Sequence, residues 1–86
     1  MNRDQNAFRI LVDSYSGYAF SVAFRIVNDE EESKDIVQET FLTVWDRIEH
    51  FNPEKKFSNW LYRIVVNKCL DFLRKKKRRS LEYPDS

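Results

Sequence analysis

The residue types best suited to chemistry lie in the second half of the chain, where aromatic, amide and cationic side chains recur at helical spacing. At about 100° per residue, this spacing places them on one face of a helix. An aromatic ring can stack on an unpaired base, an amide can pair with a base edge, and cations hold phosphates. The pattern predicts a nucleic-acid-binding face that comprises Lys56, Trp60, Arg63, Asn67, Asp71 and Arg74.

Some residues of this region also have a purely structural interpretation. Trp60 could pack against another helix, because tryptophan is usually largely buried. Asn67 could be ordinary polar surface, although a function is favoured because asparagine is a poor helix former. The preceding loop holds Phe51, Lys55 and Lys56. There Phe51 could cap an unpaired base, or it could seal the end of the core.

The net charge of +1 hides two segments of opposite sign. Residues 29–49 hold eight acids and two bases, whereas residues 55–79 hold ten bases and one acid. Six consecutive cations, from Arg74 to Arg79, close the basic segment. Such a run repels itself and needs either solvent or a polyanion. The separation predicts two different partners, and nucleic acid is favoured as one of them over a merely solubilising role.

The acidic segment predicts a helix with two distinct faces. Its apolar stripe is ordinary core and comprises Val37, Thr40, Phe41, Val44 and Ile48. The opposite face carries Asp35, Gln38, Glu39, Leu42, Asp46 and Glu49, with Trp45 at the border. One interpretation is a solvated face with a single exposed leucine, which is common. The other is a docking surface for a basic helix, with an apolar centre ringed by carboxylates, and periodicity leaves both open.

Three helices must position these faces. With one glycine and two prolines in 86 residues, the chain lacks the turn residues of a β-rich fold. Apolar spacing predicts helices over about 4–27 and 31–49, and a third from 57 or 58 to about 77. Asp29 is the expected cap of the second and Ser58 of the third, although residues 53–56 could add a turn. Gly17 is expected to bend or break the first. The predicted fold is all-α, a compact bundle of three main helices over residues 1–79, followed by a polar tail or linker over 80–86.

Rare residue types exclude several classes of function. A single cysteine, Cys69, and a single histidine, His50, rule out an internal disulfide and most metal or catalytic sets. We therefore expect no cofactor, no metal and no enzymatic activity. No apolar run approaches the roughly 20 residues of a membrane span. Met1 is followed by polar residues and not by a signal peptide, so the chain is predicted to be cytoplasmic without membrane insertion.

Two motifs resemble region two of the extracytoplasmic-function sigma factors of bacteria. Residues 35–41 resemble the D-x-x-Q-E-x-F signature of that family, and residues 57–67 resemble its F-x-x-W-L-Y-R-I-A-x-N helix. The closing basic run is also similar, and the resemblance covers roughly residues 5–79. Two long motifs in the correct order make a chance match improbable.

The resemblance implies a role for each surface. The acidic helix would dock on the clamp helices of the largest RNA polymerase subunit through Asp35, Gln38 and Glu39, with Leu42 and Trp45 on the same surface. The basic helix would melt the minus-ten promoter element and hold a flipped non-template base, with Phe51, Trp60 and Asn67 capturing or supporting it. The resemblance also implies phosphate contacts from Arg63, Arg74, Lys75, Lys76 and Lys77. Lys55 and Lys56 are predicted to join them from their place in the loop beside this face. The expected partners are core RNA polymerase, single-stranded promoter DNA and an anti-sigma protein, with no membrane.

The sequence departs from the family pattern in two ways. Valine stands at 65 or 66 where relatives have alanine, which is a small change in packing. A full factor also carries a second domain that reads the upstream promoter element, so we expect this chain to be an excised domain. Two alternatives stay open: a helix-turn-helix DNA-binding regulator, disfavoured because the 51–56 connector lacks glycine, and a protein adaptor whose basic run only confers solubility.

Overall fold

The computed structural model describes residues 4–82 as three helices. Helix α1 spans Gln5–Val27, α2 spans Glu30–Arg47 and continues into a 3₁₀ turn at Ile48–His50, and α3 spans Phe57–Glu82. Each helix packs against both of the others, and the described residues contain no strand. The prediction of an all-α bundle of three main helices is confirmed.

Side-chain caps set the starts of α1 and α2, and a backbone conformation sets the end of α1. The carboxylate of Asp4 accepts the backbone N–H groups of Asn6 at 2.9 Å and Ala7 at 3.2 Å. Asn28 adopts a left-handed conformation (φ 53°) that ends α1, and its N–H donates to Phe24. The predicted cap Asp29 accepts the N–H of Glu32 at 3.0 Å. These caps satisfy backbone groups that have no partner inside the helix.

Three expectations about helix limits are wrong. Gly17 does not break α1, which is continuous and has open space around that glycine. Ser58 is not the N-cap of α3: the helix begins at Phe57, and the N–H of Trp60 bonds to the carbonyl of Lys56. The helix also runs past 77 to Glu82, so residues 80–82 of the predicted tail are helical. Residues 83–86 of that tail lie outside the described residues.

Small and branched residues form the core where the three helices meet. Ala19 and Ala23 of α1 are fully buried and allow the other helices to approach closely. The predicted stripe of α2 faces inward, with Thr40, Phe41, Val44 and Ile48 buried and Val37 half-buried. The prediction missed Ile36, which is also buried. On α3 the buried residues are Leu61, Val65 and Cys69, as the apolar spacing predicts.

Candidate functional surfaces

Packing of α2 into the bundle turns its acidic side outward. Because Thr40 and Val44 point into the core, the residues about half a turn away face solvent. The α2 outer face, as we name it, comprises the exposed residues Asp35, Gln38, Glu39 and Leu42. Leu42 is 66% exposed, so an apolar side chain stands among two carboxylates and an amide.

An apolar groove adjoins the α2 outer face where α1 and α2 meet. Its volume is about 800 Å³, and its lining includes Phe8, Val12, Val37, Phe41, Leu42 and Trp45. The ring of Phe8 lies 4.9 Å from that of Trp45 and 6.5 Å from that of Phe41, both edge to face. Trp45 is half-buried, as its predicted border position requires. The groove joins the exposed side of Leu42 to a larger apolar surface.

Sequence reasoning missed the contribution of α1 to this surface. Phe8 and Val12 are apolar residues of α1, and both are half-buried at the groove. Helical spacing gives the direction of a side chain around its own helix, but not the neighbour that it meets. No signal in the sequence pairs Phe8 with Trp45.

The outer side of α3 and the preceding loop carry the predicted cations. Lys55 and Lys56 in the loop, and Arg63 and Asn67 on α3, are all exposed. The basic run that follows, from Arg74 through Lys75, Lys76 and Lys77, is exposed as well. The loop is shaped by Asn52, whose side chain accepts the N–H of Glu54 at 2.9 Å and whose carbonyl accepts that of Lys55 at 3.0 Å. Lys56, Arg63 and Arg74 lie on one side of α3, whereas consecutive cations from Arg74 to Lys77 point in directions about 100° apart and surround the end of the helix.

Asp71 is the one acid between residues 55 and 79, and it neutralises part of this charge. Its carboxylate lies 3.1 Å from the ammonium of Lys75 and 3.7 Å from the guanidinium of Arg74. The hydrogen bond from Lys75 and the positive charges of Lys75, Arg74 and Lys68 lower the pKa of Asp71. Asp71 is therefore ionised at neutral pH and competes with phosphate for two of the predicted DNA contacts.

The predicted base-capturing aromatics pack against one another. Phe51 is only 8% exposed, and its ring lies 4.9 Å from that of Trp60 and 5.8 Å from that of Phe57. Tyr15 of α1 adds a ring 5.0 Å from Phe57. Of the two alternatives for Phe51, the structure adopts the one that seals the core. Trp60 is half-buried and rests on Phe51, so part of its surface still faces outward.

A depression of about 400 Å³ lies beside Arg63 on the outer face of α3. Its lining comprises Asn59, Tyr62, Arg63, Val66 and Asn67. Arg63 and Asn67 were predicted to bind DNA, whereas Asn59 and Tyr62 were not considered. Asn59 lies three residues after Lys56 and four before Arg63, so helical spacing could have identified it. Tyr62 has no such spacing to a predicted residue, and only the depression brings it to this surface.

Three further observations concern other classes of site. Within residues 4–82, no three histidine, cysteine or acidic side chains are grouped as a metal ion would require. None of the helices over this range combines the length and the apolar character needed to cross a membrane. The thiol of Cys69 is buried, and desolvation raises its pKa above 9.0.

Known proteins are similar to this chain in sequence and in fold. The profile of the Sigma-70 region 2 family matches residues 11–79. The chain is 40% identical over 74 residues to the ECF RNA polymerase sigma factor SigW of Bacillus subtilis, covering 86% of this chain and 40% of that protein. It is 37% identical over 76 residues to the ECF RNA polymerase sigma-E factor of Haemophilus influenzae, with 88% and 40% covered. The chain thus spans about two fifths of the length of the curated relatives it matches.

A solved structure has the same fold. The NMR structure of an engineered region 2 of sigmaE in complex with GTAAAA superposes with a TM-score of 0.82 at 38% identity. The similarity covers 88% of this chain and 79% of that one. With the family profile matched over most of the length, the chain belongs to the Sigma-70 region 2 family, as found in extracytoplasmic-function sigma factors.

Proposed function

We propose that this chain is the domain of a transcription initiation factor that binds core RNA polymerase and melts the minus-ten promoter element. The observation that carries the proposal is the separation of two chemically opposite surfaces on one bundle. The α2 outer face offers carboxylates around exposed Leu42, while α3 offers exposed cations and amides. One surface suits a basic protein helix and the other suits a nucleic acid strand.

On the polymerase side, the partner is the clamp-helix coiled coil of the largest subunit. Asp35, Gln38 and Glu39 are exposed and can bind basic or polar side chains of that coiled coil. Leu42 and the adjoining groove next to Trp45 supply apolar area at the centre. An apolar centre with a polar rim is the usual composition of a protein interface.

On the DNA side, α3 and the 51–56 loop hold the unpaired non-template strand. Lys55, Lys56, Arg63 and the cations from Arg74 to Lys77 bind phosphates, and Asn67 binds a base edge. Phe51 acts from beneath, because its ring supports Trp60. A similar domain of sigmaE is known in complex with GTAAAA, which supports this use of the fold.

Melting by this domain needs neither a cofactor nor a catalytic residue. Unstacking a base costs a few kcal/mol, and stacking on an aromatic ring returns about 1–3 kcal/mol. A few phosphate contacts then shift the population toward the open strands. The place of action is the cytoplasm, where polymerase and promoter meet. An anti-sigma protein that covers the α2 outer face or the α3 cations would prevent the interaction of the surface that it covers.

The decisive experiment is co-purification of the domain with a fragment that carries the polymerase clamp helices. The control is a variant with Asp35, Gln38 and Glu39 all replaced by alanine, which should fold normally because all three are exposed. Binding that the triple variant loses, at an unchanged thermal melting temperature, is the expected result. No binding by the folded wild-type domain would contradict the proposal and favour a stand-alone nucleic-acid-binding module.

A further inference from the structure

The aromatic residues around the α3 surface differ sharply in their access to solvent. Phe51 is buried and Trp60 is half-buried against it. Tyr62 is 48% exposed, more than either of them. A base needs an accessible ring face on which to stack, so Tyr62 is the most available of the three.

The surroundings of Tyr62 match the requirements of a base. It lies in the α3 depression with Asn59 one turn before it, Val66 one turn after it, and Arg63 beside it. An asparagine amide can donate to and accept from a base edge, and an arginine can hold the adjacent phosphate. A single exposed tyrosine is common on a protein surface and needs no explanation. Tyr62 differs because it lies in a depression that also contains two amides and a guanidinium.

The depression extends away from the surface around Trp60, and the two share Arg63 and Asn67. Trp60 and Tyr62 are two residues apart, so their side chains leave the helix axis in directions that differ by about 160°. Arg63 projects between those directions, about 60° from Trp60 and 100° from Tyr62. One base cannot stack on both rings at once, whereas successive bases of one strand can, with Arg63 at the intervening phosphate.

We propose that Asn59, Tyr62 and Val66 form a second base-binding site, which accepts one unpaired base of single-stranded DNA in addition to the base held near Trp60 and Asn67. The site rests on the proposed function, since it extends the same DNA surface. Tyr62 stacks on the base, Val66 closes the apolar side, and Asn59 binds the base edge. The strand therefore crosses the outer face of α3 and does not end at Trp60.

The test measures the affinity of the domain for a fluorescent single-stranded oligonucleotide that contains GTAAAA. Loss of one stacked base predicts that Tyr62→Ala weakens binding by about 5- to 150-fold. Tyr62→Phe keeps the ring and should stay within about twofold of the wild type. The matched control is Tyr18→Ala, because Tyr18 is 42% exposed on α1 and should leave binding unchanged. Thermal melting of each variant confirms its fold.

An abasic scan of the oligonucleotide assigns the site to one base. Removing the base that contacts Tyr62 should weaken binding by the wild type but should have little further effect on binding by Tyr62→Ala. The Trp60→Ala variant should instead become insensitive to removal of a base at a different position. If Tyr62→Ala binds like the wild type, or no more weakly than Tyr18→Ala, the second site is refuted and the proposed function stands. If the wild type itself binds no single strand, the second site and the DNA part of the proposed function are both refuted.

Discussion

Replacement of Leu42 by alanine separates polymerase binding from folding. Leu42 is 66% exposed, so about two thirds of its side chain gains no burial from folding alone. Complete burial of a leucine contributes about 1.5–3 kcal/mol, so covering the exposed part in a complex contributes about 1–2 kcal/mol. Leu42→Ala should therefore weaken binding of the clamp-helix fragment by about 5- to 30-fold. The free energy of unfolding should change by no more than about 0.5 kcal/mol, as for other surface substitutions.

The assay is isothermal titration of the clamp-helix fragment into the wild-type and variant domains. Ile10→Ala is the matched control, because Ile10 is an aliphatic residue that is 65% exposed on the side of α1 away from the groove. The control should bind like the wild type. Equal affinities for Leu42→Ala and the wild type would refute the assignment of Leu42 to the centre of the interface. If Leu42→Ala and Ile10→Ala lost the same affinity for the fragment, the effect would be a general one of removing exposed apolar area.

Four further predictions concern the core and the charge of α3. Ser33→Ala should lower the free energy of unfolding in urea by about 1 kcal/mol, because it removes a buried hydroxyl that donates to the carbonyl of Asp29 at 2.7 Å. Phe41→Ala should lower the same quantity by about 3–5 kcal/mol, because its ring is 6% exposed in the core. Asp71→Asn should strengthen binding of single-stranded DNA and steepen its salt dependence in a titration with KCl, because it releases Arg74 and Lys75. Burial raises the pKa of the Cys69 thiol, so the contribution of this thiol to stability is present below pH 9.0 and is lost as the pH rises further. Urea unfolding should therefore show a lower free energy of unfolding at pH 10 than at pH 8, and this decrease should be smaller in Cys69→Ala than in the wild type.

Each of these four results has an opposite that would count against the geometry. If Ser33→Ala or Phe41→Ala left the free energy of unfolding unchanged, α2 would present a different side to the core. An unchanged salt slope for Asp71→Asn would mean that DNA does not reach Arg74 and Lys75. If the free energy of unfolding decreases between pH 8 and pH 10 by the same amount in Cys69→Ala and in the wild type, the whole pH effect belongs to other groups.

The sequence by itself determined most of the secondary structure, because the signals are local. Asp29 caps α2 through a bond to a residue three positions away, and Asn28 ends α1 through its own backbone conformation. The inward faces of α2 and α3 follow from apolar spacing, which depends only on helix geometry. The end of α3 is predicted at about residue 77, five residues before its observed end at Glu82. Arginine and lysine are good helix formers, and no glycine or proline interrupts residues 57–82.

The candidate surfaces were only partly determined by the sequence. Periodicity and the family motifs predicted exposed positions for Gln38, Glu39, Arg63 and Asn67, and all four are exposed. They gave no answer for Phe51, because a loop residue has no period from which to infer its direction. Only tertiary packing decided that Phe51 lies in the core beneath Trp60. Packing likewise created the groove beside Leu42 and left Tyr62 uncovered, because burial depends on which helix lies opposite and not on the order of residues along one helix.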